Sequence, residues 1–266
     1  MRYINKLTPN MTSAENNSNT HPLHISTKIE HATLFIHINR PEAKNALSCQ
    51  MYQQLTDALI EYEQNGSLKA AVFYGSDTCF TAGNDLKDFM ASGELNTEHP
   101  TVKFLYQIAN CKKPLIAAVA GPAIGIGTTL LLHCDLVVAA DNAIFQLPFA
   151  QLGLCPELAS SVLLPKLVGY QQSFELLVLG DKFNAEKALS SGFVNKITSS
   201  DNIIGQAKEW ALKLSKLPAG AVQTSKSLIR SESVLINKTI ETELAGFQRL
   251  LNGEDAQTII GNFFKR

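Results

Sequence analysis

Three short apolar runs constrain this chain more than anything else in it: "KAAVFYG" at 69–75, "PLIAAVAG" at 114–121 and "DLVVAA" at 135–140. Each is rich in strand-forming residues, too short for a typical helix and apolar at nearly every position, so each reads as a strand buried on both faces. Helical or glycine-rich stretches lie between them, and that alternation predicts a parallel sheet with crossover helices. Upstream, "LHISTKIE" at 23–30 and "ATLFIHINR" at 32–40 read as two adjacent strands. A helix starts near Ser48, carries Met51, Leu55, Leu59 and Tyr62 at helical spacing, and ends at "NG" 65–66. Beyond about residue 200 the strands stop. Ile203, Ala207, Trp210, Ala211 and Leu214 define one amphipathic helix, and Ile240, Leu244, Phe247 and Leu251 another. The expected organisation is an α/β core over 23–198 and a helical C-terminal region over 199–266, packed on the core or on a neighbouring subunit.

The chain has 266 residues, 45% of them apolar, so a sizeable core can form. A formal net charge of −1 gives no broad basic field, which argues against nucleic acid as a partner. No apolar run approaches the roughly 20 residues that cross a bilayer. Cys49, Cys79, Cys111, Cys134 and Cys155 are scattered, odd in number and without a CxxC pair, which reads as free thiols in a reducing compartment. Residues 1–22 are polar, rich in Asn, Ser and Thr, and lack the apolar segment of a secretory signal; they read as a disordered leader. The chain ends "FFKR", which is not the peroxisomal tripeptide, so the expectation is cytoplasmic.

Three stretches invite a functional reading. In "CFTAGNDLKDF" (79–89) and "AGPAIGIGTTLLLHCD" (120–135), a strand, a glycine turn and a helix follow one another, which leaves backbone N–H groups free at the turn. Ordinary strand-to-helix punctuation explains either one alone. The second has no GK[ST] and no third glycine, so it is neither a P-loop nor a dinucleotide fingerprint. In "GLCPELASS" (153–161), Pro156 suits the first position of a helix and puts Glu157 at the positive end of its dipole. That dipole would lower the pKa of Glu157, whereas Leu154, Leu158 and Phe149 nearby would raise it. The six histidines form no HExxH motif and no Cys/His cluster, so no metal site is expected.

In order and content these motifs resemble the crotonase superfamily, the enoyl-CoA hydratase/isomerase family. The resemblance rests on "INRPEAKNALS" (38–48), "FTAGNDLKDF" (80–89), the run from Lys113 to Leu154, "LVLGDKFNAEKALSSGFVNKI" (177–197) and the "EDA" at 254–256. It implies a spiral of ββα units with a helical C-terminal region that forms trimers or hexamers. It also implies an acyl-CoA thioester as substrate, with no further cofactor. Two backbone N–H groups would stabilise an enolate oxyanion, and they fall at Asn84 and Ile126. Lys44, Asn45, Ala46 and Leu47, with Ala82, Asp85 and Leu86, match the CoA-binding segments.

The departures bear on the reaction. Where hydratases of the family carry two glutamates, this chain has Thr129 and Phe149, and Phe149 would make the substrate site drier. "GND" and "PExxSS" are instead similar to the peroxisomal-type Δ3,Δ2-enoyl-CoA isomerases, which place a single base where Glu157 stands. The resemblance therefore implies double-bond isomerisation in fatty acid metabolism. The alternatives are a hydratase or another acyl-CoA reaction of the family, or a non-catalytic acyl-CoA binder.

Overall fold

The computed structural model describes residues 24–91 and 93–263; the expected leader lies outside them. Strands β1 (Ile25–Glu30) and β2 (Thr33–Ile38) form an antiparallel pair in register Ile25↔Ile38. Helix α1 (Cys49–Gln64) follows; the Ser48 side chain caps it by accepting from the Met51 N–H. Then come β3 (Ala70–Tyr74), α2 (Leu86–Ala91), α3 (Pro100–Ala109) and β4 (Leu115–Val119). Next are β5 (Pro122–Ile124), the short α4 (Ile126–Thr129), a 3-10 turn at Leu130–His133, β6 (Leu136–Ala140) and β7 (Ile144–Gln146). A second 3-10 turn, Ala150–Leu152, precedes α5 (Ser160–Val168) and α6 (Tyr170–Phe174), which runs into a π turn at Glu175–Leu179. β8 (Phe183–Asn184), α7 (Ala185–Ser190) and β9 (Lys196–Thr198) complete the strands. Helices α8 (Ile203–Ser215), α9 (Ala219–Ile229), α10 (Ser233–Leu251) and α11 (Glu254–Phe263) follow.

The main sheet has the order β1-β2-β3-β4-β6-β9 and is parallel from β2 onward. The three apolar runs of the sequence are its central strands, buried on both faces as their composition requires. One face packs on α1 and α3 in the larger core. The other is covered by Ile203, Ala207 and Ala211 of α8, which lie against Phe35, Val72, Ile116 and Val138. The first amphipathic helix of the C-terminal region is therefore used to cover the sheet of its own chain.

A second, three-stranded sheet, β5-β7-β8, has no counterpart in the sequence reading. Its strands are three, three and two residues long, below the length at which alternation can be recognised. It splits the stretch 120–135: the chain leaves the main sheet after Val119, pairs in the small sheet at Pro122–Ile124, and only then enters α4. The "NG" stop, the Ser48 start and the helices at 203 and 240 fall where their residues place them.

Candidate active site

Two turns meet backbone to backbone. At the first, Gly83 has φ +93, and a Cβ there would stand 2.8 Å from the Ile124 carbonyl oxygen of the second. No residue with a side chain fits so close a crossing in that conformation. At the second, Gly125 has φ 55 and ψ −117, a region essentially reserved for glycine, and it leads straight into α4.

Three neighbouring N–H groups are used. Gly83 N–H donates to Thr81 Oγ1 at 3.1 Å, Asp85 N–H to the Leu47 carbonyl at 2.9 Å, and Gly125 N–H to the Gln146 carbonyl at 2.9 Å. Among the described residues, the N–H groups of Asn84 and Ile126 have no acceptor. Both residues line one apolar cleft, together with Ala82, Leu86, Phe89, Phe149, Leu154, Phe247 and Leu251. A pair of unpaired N–H donors at an apolar cleft suits an oxygen that gains negative charge during reaction.

The 40–47 loop supports this place from beneath. Lys44 and Asn45 both adopt positive φ, 50 and 58. Asn45 is buried; its Oδ1 accepts from Arg40 N–H at 2.7 Å, and its Nδ2 donates to the carbonyls of Cys79 and Phe80 at 3.0 and 3.2 Å. The Ala46 carbonyl accepts from Arg40 Nη1, and buried Leu47 bridges to Asn84. Asp85 pairs with Arg40 at 2.7 Å and caps α2 through the Asp88 N–H. Burial pushes the Asp85 carboxyl up, but Arg40 and the α2 N–H groups outweigh it and hold the pKa below the usual value. The side chains of Asn45, Leu47 and Asp85 are thus committed inside the protein, while that of Lys44 is exposed.

Glu157 is 5% exposed, and its Oε1 accepts a 2.5 Å hydrogen bond from the Thr129 hydroxyl. Thr129 lies one helical turn after Ile126. Tyr52 connects the acid to the other donor: its buried hydroxyl donates to Asn84 Oδ1, and it is pushed well up in pKa by burial and by the Glu157 charge. Burial raises the Glu157 pKa from the usual 4.5 to about 8; the Thr129 bond works against this and the Glu243 charge adds to it. The side chain is therefore poised near neutral, where a group that both takes and returns a proton works best.

The expected helix start at Pro156 is not what positions Glu157. Helix α5 begins at Ser160, and Leu158 and Ala159 before it are both left-handed, each with φ 56. The dipole end belongs to Glu243 of α10. Its carboxylate accepts from Ala159 N–H at 2.6 Å, Ser161 N–H at 3.0 Å and the Ser161 hydroxyl at 2.5 Å. The helix dipole thus acts on a different glutamate, and burial decides the pKa of Glu157.

Tyr52, Thr129 and Glu243 were not singled out as functional from the sequence, beyond the absence of a carboxylate at 129. Glu243 did leave a signal: it stands three residues after Ile240 and four before Phe247, inside the apolar stripe of α10. A carboxylate in such a stripe needs buried donors. Thr129→Val keeps the shape and removes the donor to Glu157. We expect the ascending limb of its pH–rate profile to move to higher pH, and Thr129→Ser to restore the original midpoint.

The family model described as enoyl-CoA hydratase/isomerase matches residues 28–265. The chain belongs to the enoyl-CoA hydratase/isomerase family. It is 34% identical over 239 residues to "Enoyl-CoA delta isomerase 3, peroxisomal" of Mus musculus, covering 87% of this chain and 75% of that protein. It is also 34% identical over 212 residues to "Probable enoyl-CoA hydratase echA8" of Mycobacterium leprae, covering 79% of each. The crystal structure of an enoyl-CoA hydratase/isomerase from Pseudoalteromonas atlantica T6c superposes with a TM-score of 0.88 at 34% identity, covering 91% of this chain and 97% of that one. As a family member the chain is an acyl-CoA enzyme with the α/β fold of its relatives. Isomerase and hydratase names both occur among those relatives, so residues of the site have to separate the two reactions.

Proposed function

We propose that the protein is a Δ3,Δ2-enoyl-CoA isomerase. One observation carries this reading: a buried carboxyl, raised to about 8, is bonded to Thr129 one helical turn after the Ile126 N–H, with no carboxylate at 129 or 149. In the proposed reaction the thioester oxygen accepts from Asn84 N–H and Ile126 N–H. Glu157 removes a proton from C2 of the 3-enoyl group, leaving a dienolate whose negative oxygen is held by those donors. The same carboxyl, now protonated, delivers the proton to C4, and the double bond moves to C2–C3. Thr129 occupies Oε1 of Glu157, so Oε2 does the transfer. Phe149, Leu154 and Phe247 keep the cleft dry, which disfavours water as a nucleophile.

Lys44, Ala46 and Ala82 would meet the CoA portion through the exposed Lys44 side chain and loop backbone. The step uses neither a metal nor a second cofactor, and EDTA is expected to leave the rate unchanged. Among the described residues, no helix is long and apolar enough to cross a membrane. We place the protein in the cytoplasm. Tyr170, Phe174 and Leu179, and also Leu228, Ile229 and Val234, leave large apolar side chains exposed. We assign these surfaces to a homotrimer or hexamer, and light scattering showing a monomer at micromolar concentration would contradict that.

The test of function is an assay of purified protein with 3-enoyl-CoA and 2-enoyl-CoA side by side. Conversion of the first to the conjugated ester, faster than hydration of the second, is expected. Faster hydration overturns the reading, and binding without turnover would make the protein a non-catalytic acyl-CoA binder.

A further inference from the structure

The two left-handed residues after the base call for an explanation. Leu158 and Ala159 are not glycine, yet both hold φ 56. Such residues cost about 1–3 kcal/mol each and persist only where the surroundings fix them. Here the polar backbone atoms of the loop are gripped from several sides. The Glu157 carbonyl accepts from Ser160 N–H and the Ser160 hydroxyl. The Leu158 carbonyl faces His133 Nε2 at 2.9 Å; burial and the nearby Arg230 charge push His133 down to about 3, so it is neutral and donates this bond through Nε2–H. Glu243 takes the Ala159 and Ser161 N–H groups.

We propose that Glu243 is a positioning residue for Glu157: by gripping the left-handed turn from α10 it fixes the direction in which the carboxyl of the base points. This rests on Glu157 being the base of the proposed isomerase. Three features support it. Every partner of the Glu243 carboxyl is a donor, so the bonds favour its ionised form even though burial pushes its pKa up. The grip reaches across 84 residues of sequence, so it ties the turn to a separate helix. Finally, Glu243, Phe247 and Leu251 recur every four residues on α10, and the last two line the cleft. One helix therefore carries both part of the acyl wall and the clamp on the base.

A role in packing alone and a role in positioning differ in what they do to the pH profile. Glu243 adds negative charge beside Glu157; the other titratable groups close to the base are Tyr52 from α1 and Cys155 on its own loop. Glu243→Gln removes the charge and puts an amide N–H against the Ala159 N–H, while leaving an oxygen for Ser161. We expect it to fold and to bind acyl-CoA. Its kcat should fall by about 10–100-fold, the size of effect a misdirected catalytic group produces. The acid-side midpoint of its pH–rate profile should move to lower pH, because a like charge has been removed. Ser161→Ala keeps the charge and loses one bond to it, so its kcat should fall less, at an unmoved midpoint.

The experiment measures kcat, KM, pH profile and melting temperature for the wild type, Glu157→Gln, Glu243→Gln and Ser161→Ala with 3-enoyl-CoA. If Glu243→Gln is folded and its kcat and midpoint match those of the wild type, the proposal is wrong. If Glu243→Gln does not fold, Ser161→Ala decides: an unchanged kcat overturns the proposal, and a lowered kcat at unchanged KM supports it. A wild type without isomerase activity removes the proposed function and this inference with it. An active wild type whose Glu157→Gln variant is equally active removes the base assignment and this inference, and leaves the reaction standing.

Discussion

Glu157→Gln is expected to lower isomerase turnover by at least about 10²-fold, the lower end for loss of a general acid–base group. The amide can still accept from Thr129 but cannot take the C2 proton. Acyl-CoA binding should survive, because Asn84 and Ile126 contribute backbone groups that the change does not touch. In the proposed reaction Glu157 must be ionised to act. With its pKa raised to about 8, kcat/KM should climb with pH and level off above that value. The same shift has a consequence for stability. Between the usual 4.5 and about 8 the folded protein holds a proton that the unfolded chain has lost, so burying Glu157 makes the wild type less stable as pH rises through that window. The amide has no such cost. The melting temperature of Glu157→Gln should therefore gain on the wild type from pH 5 to pH 8. A helix-start carboxylate predicts the opposite, a small loss of stability with turnover intact, so the same variant tests both roles of the residue.

Ile126→Pro should cost about 10²–10³ in kcat, the loss measured when one donor of an oxyanion hole is removed. Ile126 is the first residue of α4, a position where proline is tolerated because its N–H would have no helical partner. The substitution deletes one atom group of interest, the unpaired N–H, from a place where the backbone needs no repair. Ile126 is buried, so some packing is lost as well. Ile126→Val trims the side chain and keeps the N–H, and it should retain nearly full activity. Comparable losses for Pro and Val would mean that packing, and not the N–H, matters there.

The central strands were legible because being buried on both faces leaves an unbroken apolar run, as at 70–74 and 115–119. The two glycine turns were legible for a different reason: glycine is visible in a sequence, and a turn that enters a helix leaves N–H groups unpaired. Their assignment to Asn84 and Ile126 rests on the family resemblance. The surroundings of Glu157 were not legible. Its neighbours Thr129 and Glu243 are 28 and 86 residues away, and no local pattern links them. Pro156 suggested a helix start, but left-handed Leu158 and Ala159 delay the helix to Ser160, and ordinary residues in that conformation leave no mark in the sequence. The same limit applies to the side chain of Asn45, which fastens the loop to the carbonyls of Cys79 and Phe80.

The position of α10 also bears on the order in which the enzyme is made. A ribosome releases every strand of both sheets by Thr198 and the helix that covers the main sheet by Ser215. The clamp at Glu243 and the cleft wall at Phe247 and Leu251 emerge later still. Until then the cleft that Asn84 and Ile126 line lacks the apolar wall that Phe247 and Leu251 supply. Such a surface attracts chaperones and other unfinished chains. The turn after Glu157 and the cleft wall are completed by the same helix, so both wait for α10.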